Sequence, residues 1–163
     1  KLEIICIQKE NNMNTYHELK GDLLDNHGCV ICHQVNCQKT MGSGVAKQIK
    51  DKWPEVAQAY QMYFINNPTP LGKTQLVKTN DGYVIANMYA QDKFGYDGKR
   101  YTNYEAFASC LEELNSKLAD GTSIAFPYKI GSDRGGANWE IIRTMIQNIL
   151  TNKNIYIYRL EEK

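Results

Sequence analysis

Two loops with glycines in front of a helix are the parts of this 163-residue sequence best suited to chemistry. The first spans residues 36–46 (NCQKTMGSGVA) and the second residues 127–136 (PYKIGSDRGG). Glycines at such a junction let the backbone approach an anion, and the unpaired N–H groups and the helix dipole favour negative charge there. One such loop is often only a turn. Two on one edge of a sheet could clamp a diphosphate from both sides, and they predict a phosphate-binding site.

The common nucleotide motifs match neither loop. Gly42-x-Gly44-x-x-Lys47 lacks the third glycine of a dinucleotide fingerprint, and five further residues separate it from the preceding strand. The P-loop pattern also fails, because no glycine precedes a Gly-Lys-Ser/Thr sequence at the required spacing. ATP hydrolysis is therefore disfavoured.

Two titratable side chains lie in or beside these loops. Asp133 is the candidate general acid or base, since a carboxylate there could activate a water or hold ribose hydroxyls. A turn or capping role before Gly135 is the alternative. His33 could transfer a proton near neutral pH, although a lone histidine on an apolar strand is usually a core residue. Lys39 and Arg134 could add charge to phosphate contacts or simply be solvated.

The five cysteines do not form a recognisable metal or disulfide pattern. Cys29-x-x-Cys32 looks like a metal signature, but residues 29–35 predict a buried strand, on which residues three apart point to opposite faces. No second Cys-x-x-Cys completes four zinc ligands, and an odd number of cysteines argues against a secreted disulfide scaffold. Buried, reduced thiols are expected. A redox or metal protein built on Cys29, Cys32 and Cys37 is the least favoured alternative.

Strand and helix patterns alternate around the loops. Strands are predicted at Leu2–Ile7, Thr15–Lys20, Gly28–Val35, Thr74–Lys78, Tyr83–Tyr89, Thr122–Phe126 and Asn154–Arg159. Helices are predicted at Ser43–Trp53, at Pro54–Phe64, from a capping box at Thr102–Glu105 to Gly121, and at Trp139–Leu150. This interleaving predicts an α/β fold, a three-layer α/β/α sandwich on a mixed, mainly parallel central sheet.

Length and composition predict one soluble domain. Hydrophobic residues at 42% and charged residues at 23% are ordinary globular values. The 19 basic and 18 acidic side chains give a net charge of +1, which argues against a general binder of nucleic acid or membrane surfaces. No apolar run approaches the roughly 18–20 residues that span a bilayer, and no signal-peptide pattern opens the chain. We expect a cytoplasmic monomer without a membrane partner.

Three short segments resemble, in the right order, the landmarks of the macrodomain family. They are Gly21-Asp22-Leu-Leu, Val35-Asn36-Cys with Met-Gly42-Ser-Gly44-Val-Ala46, and Phe126-Pro127 with Ile130-Gly131-Ser132-Asp133. Within the family the chain is most similar to the terminal ADP-ribose glycohydrolases and to the ADP-ribose-1″-phosphate phosphatase-like group. The resemblance implies a three-layer fold that binds ADP-ribose, with no metal or other cofactor.

The resemblance also implies roles for individual residues. Asp22 would accept a hydrogen bond from the adenine amino group, with Leu23 beside the ring, although alone Asp22 is typical of a turn or helix cap. Asn36 would contact the distal ribose, its alternative being to satisfy the loop backbone. The amides on one side of the diphosphate would come from Gly42, Ser43, Gly44, Val45 and Ala46. The other phosphate and the distal ribose would meet Pro127, Ile130, Gly131, Ser132, Asp133, Arg134, Gly135 and Gly136.

One position departs from the family pattern. The glycohydrolase group carries a lysine at the end of the strand 85–91 (IANMYAQ), where this chain has Gln91. Lys93, two residues on, is a candidate catalytic residue only if the loop 91–101 folds back. Phe94, Tyr96 and Tyr101 in this loop could cover the ribose, stack on adenine or form a surface flap.

Three functions are compatible with these residues. The first is hydrolysis of ADP-ribose 1″-phosphate to ADP-ribose and phosphate, with Asp133 acting at the distal end. The second is removal of ADP-ribose from modified protein or nucleic acid, with Lys93 or Asp133 as the working residue. The third is a non-catalytic module that binds ADP-ribose.

Overall fold

The computed structural model describes residues 13–95 and 97–160. Six strands lie in this range: β1 Thr15–Lys20, β2 Val30–Val35, β3 Thr74–Lys78, β4 Val84–Tyr89, β5 Ser123–Pro127 and β6 Asn154–Arg159. Four α-helices alternate with them: α1 Gly44–Lys52, α2 Pro54–Asn66, α3 Tyr104–Lys117 and α4 Trp139–Ile149. A short 3₁₀ turn, Leu23–Asp25, follows β1.

The strands form one mixed sheet in the order β1-β6-β5-β2-β4-β3. All neighbouring pairs are parallel except β3 and β4, which form an antiparallel hairpin. The carboxyl ends of the five parallel strands therefore share one edge, and in open α/β sheets this edge is where ligands bind. The predicted mixed, mainly parallel sheet is confirmed.

Helices cover both faces of the sheet and define two cores. On one face Ile31, Ile85 and Tyr89 pack with Ile49 of α1 and Val56 of α2. On the other face Cys32, Met88 and Phe126 pack with Phe107 and Leu111 of α3 and with Ile142 and Ile146 of α4. The predicted three-layer α/β/α sandwich is therefore confirmed.

Cys29 and Cys32 belong to opposite cores. Cys32 is fully buried on the α3–α4 side, whereas the partly exposed Cys29 packs on the α1–α2 side. The alternation of the strand separates the two sulfur atoms, as the sequence predicted. Within residues 13–95 and 97–160, no group of three or more histidine, cysteine or acidic side chains could hold a metal ion.

Most predicted elements agree with the structure to within two residues. The strands at Thr15–Lys20, Thr74–Lys78 and Asn154–Arg159 have the predicted bounds. The predicted strand Leu2–Ile7 lies outside the described residues, as do Cys6 and Tyr96.

The predicted start and end of the third helix were wrong. Asn103, not Thr102, is the N-cap of α3, and its side chain accepts a hydrogen bond from the Ala106 N–H at 2.9 Å. Thr102 cannot cap the helix because it forms a β-bridge with Gln91 and its hydroxyl bonds elsewhere. The helix ends at Lys117, and Gly121 instead takes a positive φ of 84° in the turn before β5.

No helix among the described residues is both long and apolar enough to cross a membrane.

Candidate functional site

The two glycine loops face each other across a cavity at the carboxyl edge of the sheet. The cavity has a volume of about 320 Å³, a size typical of a small-molecule site. One wall is residues 42–46, which lead into α1, and the opposite wall comes from the loop after β5. The ends of β2 and β4 form its floor through Gln34, Asn36 and Gln91.

The first loop is held by a buried methionine and leads into an uncapped helix. Met41 is buried in the α1–α2 core and fixes the loop from below. Ser43 is the N-cap residue of α1, yet its side chain makes no capping hydrogen bond. The first N–H donor that bonds back within the helix is Lys47, to the Ser43 carbonyl at 3.2 Å. The first-turn N–H groups before it are therefore donors suited to an anion in the cavity.

The second loop is anchored on the opposite core and closed against residues 101–102. Ile130 is 4% exposed and packs in the α3–α4 core. The carbonyl of Gly135 accepts hydrogen bonds from the N–H groups of Tyr101 and Thr102 at 2.8 and 2.9 Å. The Thr102 hydroxyl donates to the Gly131 carbonyl at 2.7 Å. These bonds fix the wall of the cavity to the segment that precedes α3.

A side-chain junction ties three parts of the chain together at the cavity floor. The Gln34 amide nitrogen donates to Gln91 Oε1 at 2.7 Å and to Thr102 Oγ1 at 2.8 Å. Gln91 in turn donates to the Lys93 carbonyl at 2.8 Å. The Gln91 amide is therefore committed to structural hydrogen bonds. That Gln91 stands where the glycohydrolase group has a lysine stays a prediction.

His33 is buried beside the cavity and is neutral at physiological pH. Burial lowers its pKa to about 4, against an ordinary value of 6.5. Its Nε2 lies 2.5 Å from Asn87 Oδ1, and Asn87 donates to Gln75 at 3.1 Å, so Nε2 carries the hydrogen. Nδ1 is then a buried acceptor without a partner in the described part of the chain. A proton-donating role for His33 near neutral pH, raised by the sequence, does not fit this pKa.

The cysteines near the site are also protonated. Burial raises the pKa of the Cys37 thiol to about 11, with the negative charge of Asp92 as a second cause. Burial likewise raises the pKa of Cys29 and of Cys32. Because the thiolate is the nucleophilic form, these thiols are unreactive at neutral pH.

Asp133 lines both the cavity and a second, smaller groove. This groove has a volume of about 200 Å³ and shares Gly95, Asp133 and Arg134 with the cavity. The exposed Lys93 lines neither of them. A substrate bound in the cavity would reach Asp133 before any described lysine on the loop 91–95.

The structure brings together most of the residues that the sequence proposed. The cavity is lined by Asn36, Gly42, Ser43, Gly44, Val45, Ala46, Gln91, Pro127, Ile130, Gly131, Asp133, Arg134 and Gly135. Gly136 lines the second groove. Ser132 lines neither, and the same is true of Asp22 and Leu23.

Asp22 and Leu23 have structural contacts at the same sheet edge. The Asp22 side chain accepts the Leu24 N–H at 2.9 Å and caps the 3₁₀ turn, and Leu23 is buried in the α1–α2 core. Their contact with adenine stays a prediction. Lys39, also considered as a phosphate ligand, lies over the ring of Phe64 and outside the cavity lining.

Sequence reasoning missed Gln34, Thr102 and Tyr60. Gln34 carried a signal, because it is a polar residue directly before the Val35-Asn36 landmark in an apolar strand. Thr102 was assigned to a cap, and nothing in its neighbours indicates a partner 29 residues later at Gly131. Tyr60 reads as one more apolar position of a helix.

An open α/β sheet with two loop walls at its carboxyl edge defines a class of domains that bind small anionic ligands there. Comparison with known protein families identifies which of these domains the chain is. Residues 32–146 match the family model described as Macro domain. The chain therefore belongs to the macro domain family, and the resemblance noted from the sequence is confirmed.

Named relatives agree with this assignment. The chain is 32% identical, over 85% of its length and 92% of the relative's, to an uncharacterized 17.5 kDa protein of the tk-vs intergenic region of Enterobacteria phage T4. It is 24% identical to the ADP-ribose 1″-phosphate phosphatase of Meyerozyma guilliermondii, over 89% of this chain and 99% of that one. It is 29% identical to a DNA ADP-ribosyl glycohydrolase of Mycobacterium tuberculosis, over 74% of this chain and 34% of that one.

A solved structure shows the same fold. The macrodomain of Mycobacterium tuberculosis DarG superimposes with a TM-score of 0.70 at 26% identity, covering 90% of this chain and 97% of that one.

We expect Gly135→Ala to open the second loop. An added Cβ would lie 2.5 Å from the Gly131 carbonyl oxygen and closer still to Thr102 Oγ1, so the loop closure must shift. The free energy of unfolding in urea should fall by about 1–3 kcal/mol, the usual cost of overpacking. Gly28→Ala is the matched control, since its Cβ would meet nothing within 4 Å. Equal stability of the two variants would contradict the closure described above.

The buried His33 predicts a pH-dependent stability. Its folded pKa of about 4 lies below the ordinary 6.5, so between these values the unfolded chain binds a proton that the folded protein excludes. The free energy of unfolding should fall as pH is lowered from 6.5 to 4, by about 3 kcal/mol from this group. His33→Gln removes this dependence. The stability difference between wild type and His33→Gln should shrink from pH 7 to pH 4.5, and a constant difference would contradict the buried neutral histidine.

Proposed function

We propose that the protein binds ADP-ribose and hydrolyses ADP-ribose 1″-phosphate to ADP-ribose and phosphate. The observation that carries the proposal is the pair of opposed loop walls. An uncapped helix N-terminus and a glycine-rich loop face each other across a cavity at the carboxyl edge of the sheet. The backbone donors of this arrangement suit a diphosphate, and a net charge of +1 is no obstacle, since amides rather than lysines supply the contacts.

The name of the phosphatase relative supports the choice of substrate. The Meyerozyma protein carries this activity as its name and aligns over 89% of this chain. In addition, Gln91 stands where the glycohydrolase group has a lysine, and its amide is held by Gln34. The position therefore offers no nitrogen nucleophile, and hydrolysis by an activated water fits the remaining side chains better.

Asp133 would act on that water. The proposal is supported by its place in the lining of both the cavity and the second groove. As a general base it would take a proton from the attacking water, whose oxygen bonds to phosphorus while the bond from phosphorus to the 1″ oxygen breaks. Phosphate leaves, and the 1″ oxygen takes up a proton to complete ADP-ribose. Asn36 and the second loop would hold the distal ribose in place.

Removal of ADP-ribose from modified protein or nucleic acid is the second candidate. The second groove favours it, because this groove continues from Asp133 and leaves room for a group attached beyond the ribose. Lys99 and Arg134 line it and would suit an attached acidic group. The DNA ADP-ribosyl glycohydrolase relative supports the same candidate at 29% identity.

Calorimetric titration with ADP-ribose tests the binding step. We expect one-to-one binding that is at least tenfold tighter than for ADP or AMP, or about 1.4 kcal/mol, because only ADP-ribose places a ribose beside Asn36. Equal affinity for ADP and ADP-ribose would remove the role of the distal ribose. Failure of all three ligands to bind would overturn the diphosphate clamp.

Phosphate release from ADP-ribose 1″-phosphate tests the catalytic step. Asp133→Asn should lower kcat by about 10²-fold or more, the usual contribution of a general base, with ADP-ribose affinity nearly unchanged. Asp92→Asn is the matched control, since Asp92 is an exposed carboxylate outside both cavities. Full turnover by Asp133→Asn would exclude the general-base role. Release of ADP-ribose from modified DNA or protein, without phosphatase activity, would favour the second candidate.

A further inference from the structure

The side chain of Asn36 has one hydrogen-bonding group left to offer a ligand. Its Oδ1 accepts from the Gln38 N–H at 2.9 Å and lies 2.8 Å from the Tyr60 hydroxyl. Its Nδ2 donates to the Thr40 carbonyl at 2.8 Å. An asparagine amide has two acceptor sites and two N–H donors, so one N–H stays available. Because Asn36 lines the cavity, that N–H is the contact it can make there.

Tyr60 holds this arrangement from the buried side. Its single O–H is shared between the carbonyl oxygen and the side-chain oxygen of Asn36, each 2.8 Å away, and the hydroxyl oxygen accepts the Thr40 N–H at 3.1 Å. The ring is fully buried and stacks on Tyr89, with centroids 5.6 Å apart. The Tyr60 hydroxyl therefore bonds to residues at both ends of the turn 36–40, and Tyr60 itself lies on α2.

The position of Tyr60 is fixed by hydrogen bonds to the backbone of α2. The Tyr89 hydroxyl donates within a buried network to the Tyr60 carbonyl at 3.2 Å and the Gln75 Oε1 at 3.0 Å. Gln75 also donates to the Ala59 carbonyl at 2.9 Å. The backbone of α2 at Tyr60 is therefore tied to β3 and β4, which leaves its side chain little freedom to move.

We infer that Tyr60 is a positioning residue that fixes Asn36 as a hydrogen-bond donor, and so selects an oxygen acceptor on the distal ribose. The inference rests on the proposed function, because it takes ADP-ribose as the ligand. Without the Tyr60 hydroxyl, the Thr40 N–H and one lone pair of Asn36 Oδ1 lose their partner, and the Asn36 amide is held only by Gln38 and Thr40 of its own turn. The available N–H would then be held less firmly toward the ligand.

A tyrosine needed only for stability would affect every ligand alike. The positioning role predicts a selective loss, because ADP lacks the distal ribose and does not use Asn36. Tyr60→Phe keeps the buried ring and should weaken ADP-ribose binding about five- to tenfold, the range of one hydrogen bond. Its affinity for ADP should stay within twofold of wild type.

Tyr63→Phe is the matched control. Tyr63 lies on the same helix and its ring stacks on Tyr89, with centroids 5.2 Å apart, but within the described residues its hydroxyl makes no hydrogen bond to the turn 36–40. Tyr63→Phe should leave the affinities for both ligands within twofold of wild type. Asn36→Ala supplies a second variant, since alanine has no side-chain N–H donor and adds no charge beside the diphosphate, and it should lose ADP-ribose affinity while retaining ADP affinity.

The outcomes separate the inference from the proposed function. If wild type binds ADP-ribose better than ADP, and Tyr60→Phe weakens both equally or neither, the positioning role is overturned and the proposed function stands. If wild type binds neither ligand, the proposed function fails.

Side-chain amide resonances of ¹⁵N-labelled protein then still test the positioning. The Asn36 pair, identified by its absence in Asn36→Ala, should shift or broaden in Tyr60→Phe and stay in place in Tyr63→Phe. Unchanged Asn36 resonances in Tyr60→Phe would overturn the inference.

Discussion

The closure of the second loop against Thr102 is the interaction on which the shape of the cavity depends. The Thr102 hydroxyl accepts a hydrogen bond from the Gln34 amide and donates one to the Gly131 carbonyl. The backbone N–H groups of Tyr101 and Thr102 both donate to the Gly135 carbonyl. These partners come from three distant parts of the chain. The wall therefore exists only once β2, β4 and β5 are paired in the sheet, and a local sequence match to either loop is not enough to build it.

The same hydrogen bonds determine what chemistry the site can carry. Gln91 is bonded to Gln34 and to the Lys93 carbonyl, and His33 is buried and neutral. Burial keeps the Cys37 thiol protonated. Among the described residues that line the cavity, Asp133 is the one with a carboxylate. Gln34 and Gln91 on the floor form structural hydrogen bonds and have no titratable proton.

Local sequence patterns predicted the strands and helices well, but not the long-range side-chain hydrogen bonds that join the loops. Strand alternation placed Thr15–Lys20 and separated Cys29 from Cys32, because burial on a sheet has a period of two residues. Thr102 followed by Glu105 matched a capping box, but the tertiary partner Gly131 outcompeted the cap and moved it to Asn103. The glycines of the two loops indicated the walls of the cavity. Tyr60 could not be recognised, since its packing is ordinary and only its hydroxyl is special.

The walls of the cavity are rich in residues with little or no side chain, namely Gly42, Ser43, Gly44, Ala46, Gly131 and Gly135, whose backbone N–H groups are the proposed anion contacts. No side-chain replacement can delete an N–H donor of this kind, apart from substitution by proline. Under the proposed function, substitutions in this region would therefore act mainly through the larger side chains of the lining, such as Phe94, Lys129 and Arg134, while the backbone contacts to the diphosphate persist. Such a protein could come to accept a different group attached to its ligand, or lose turnover altogether, and still bind the shared diphosphate core.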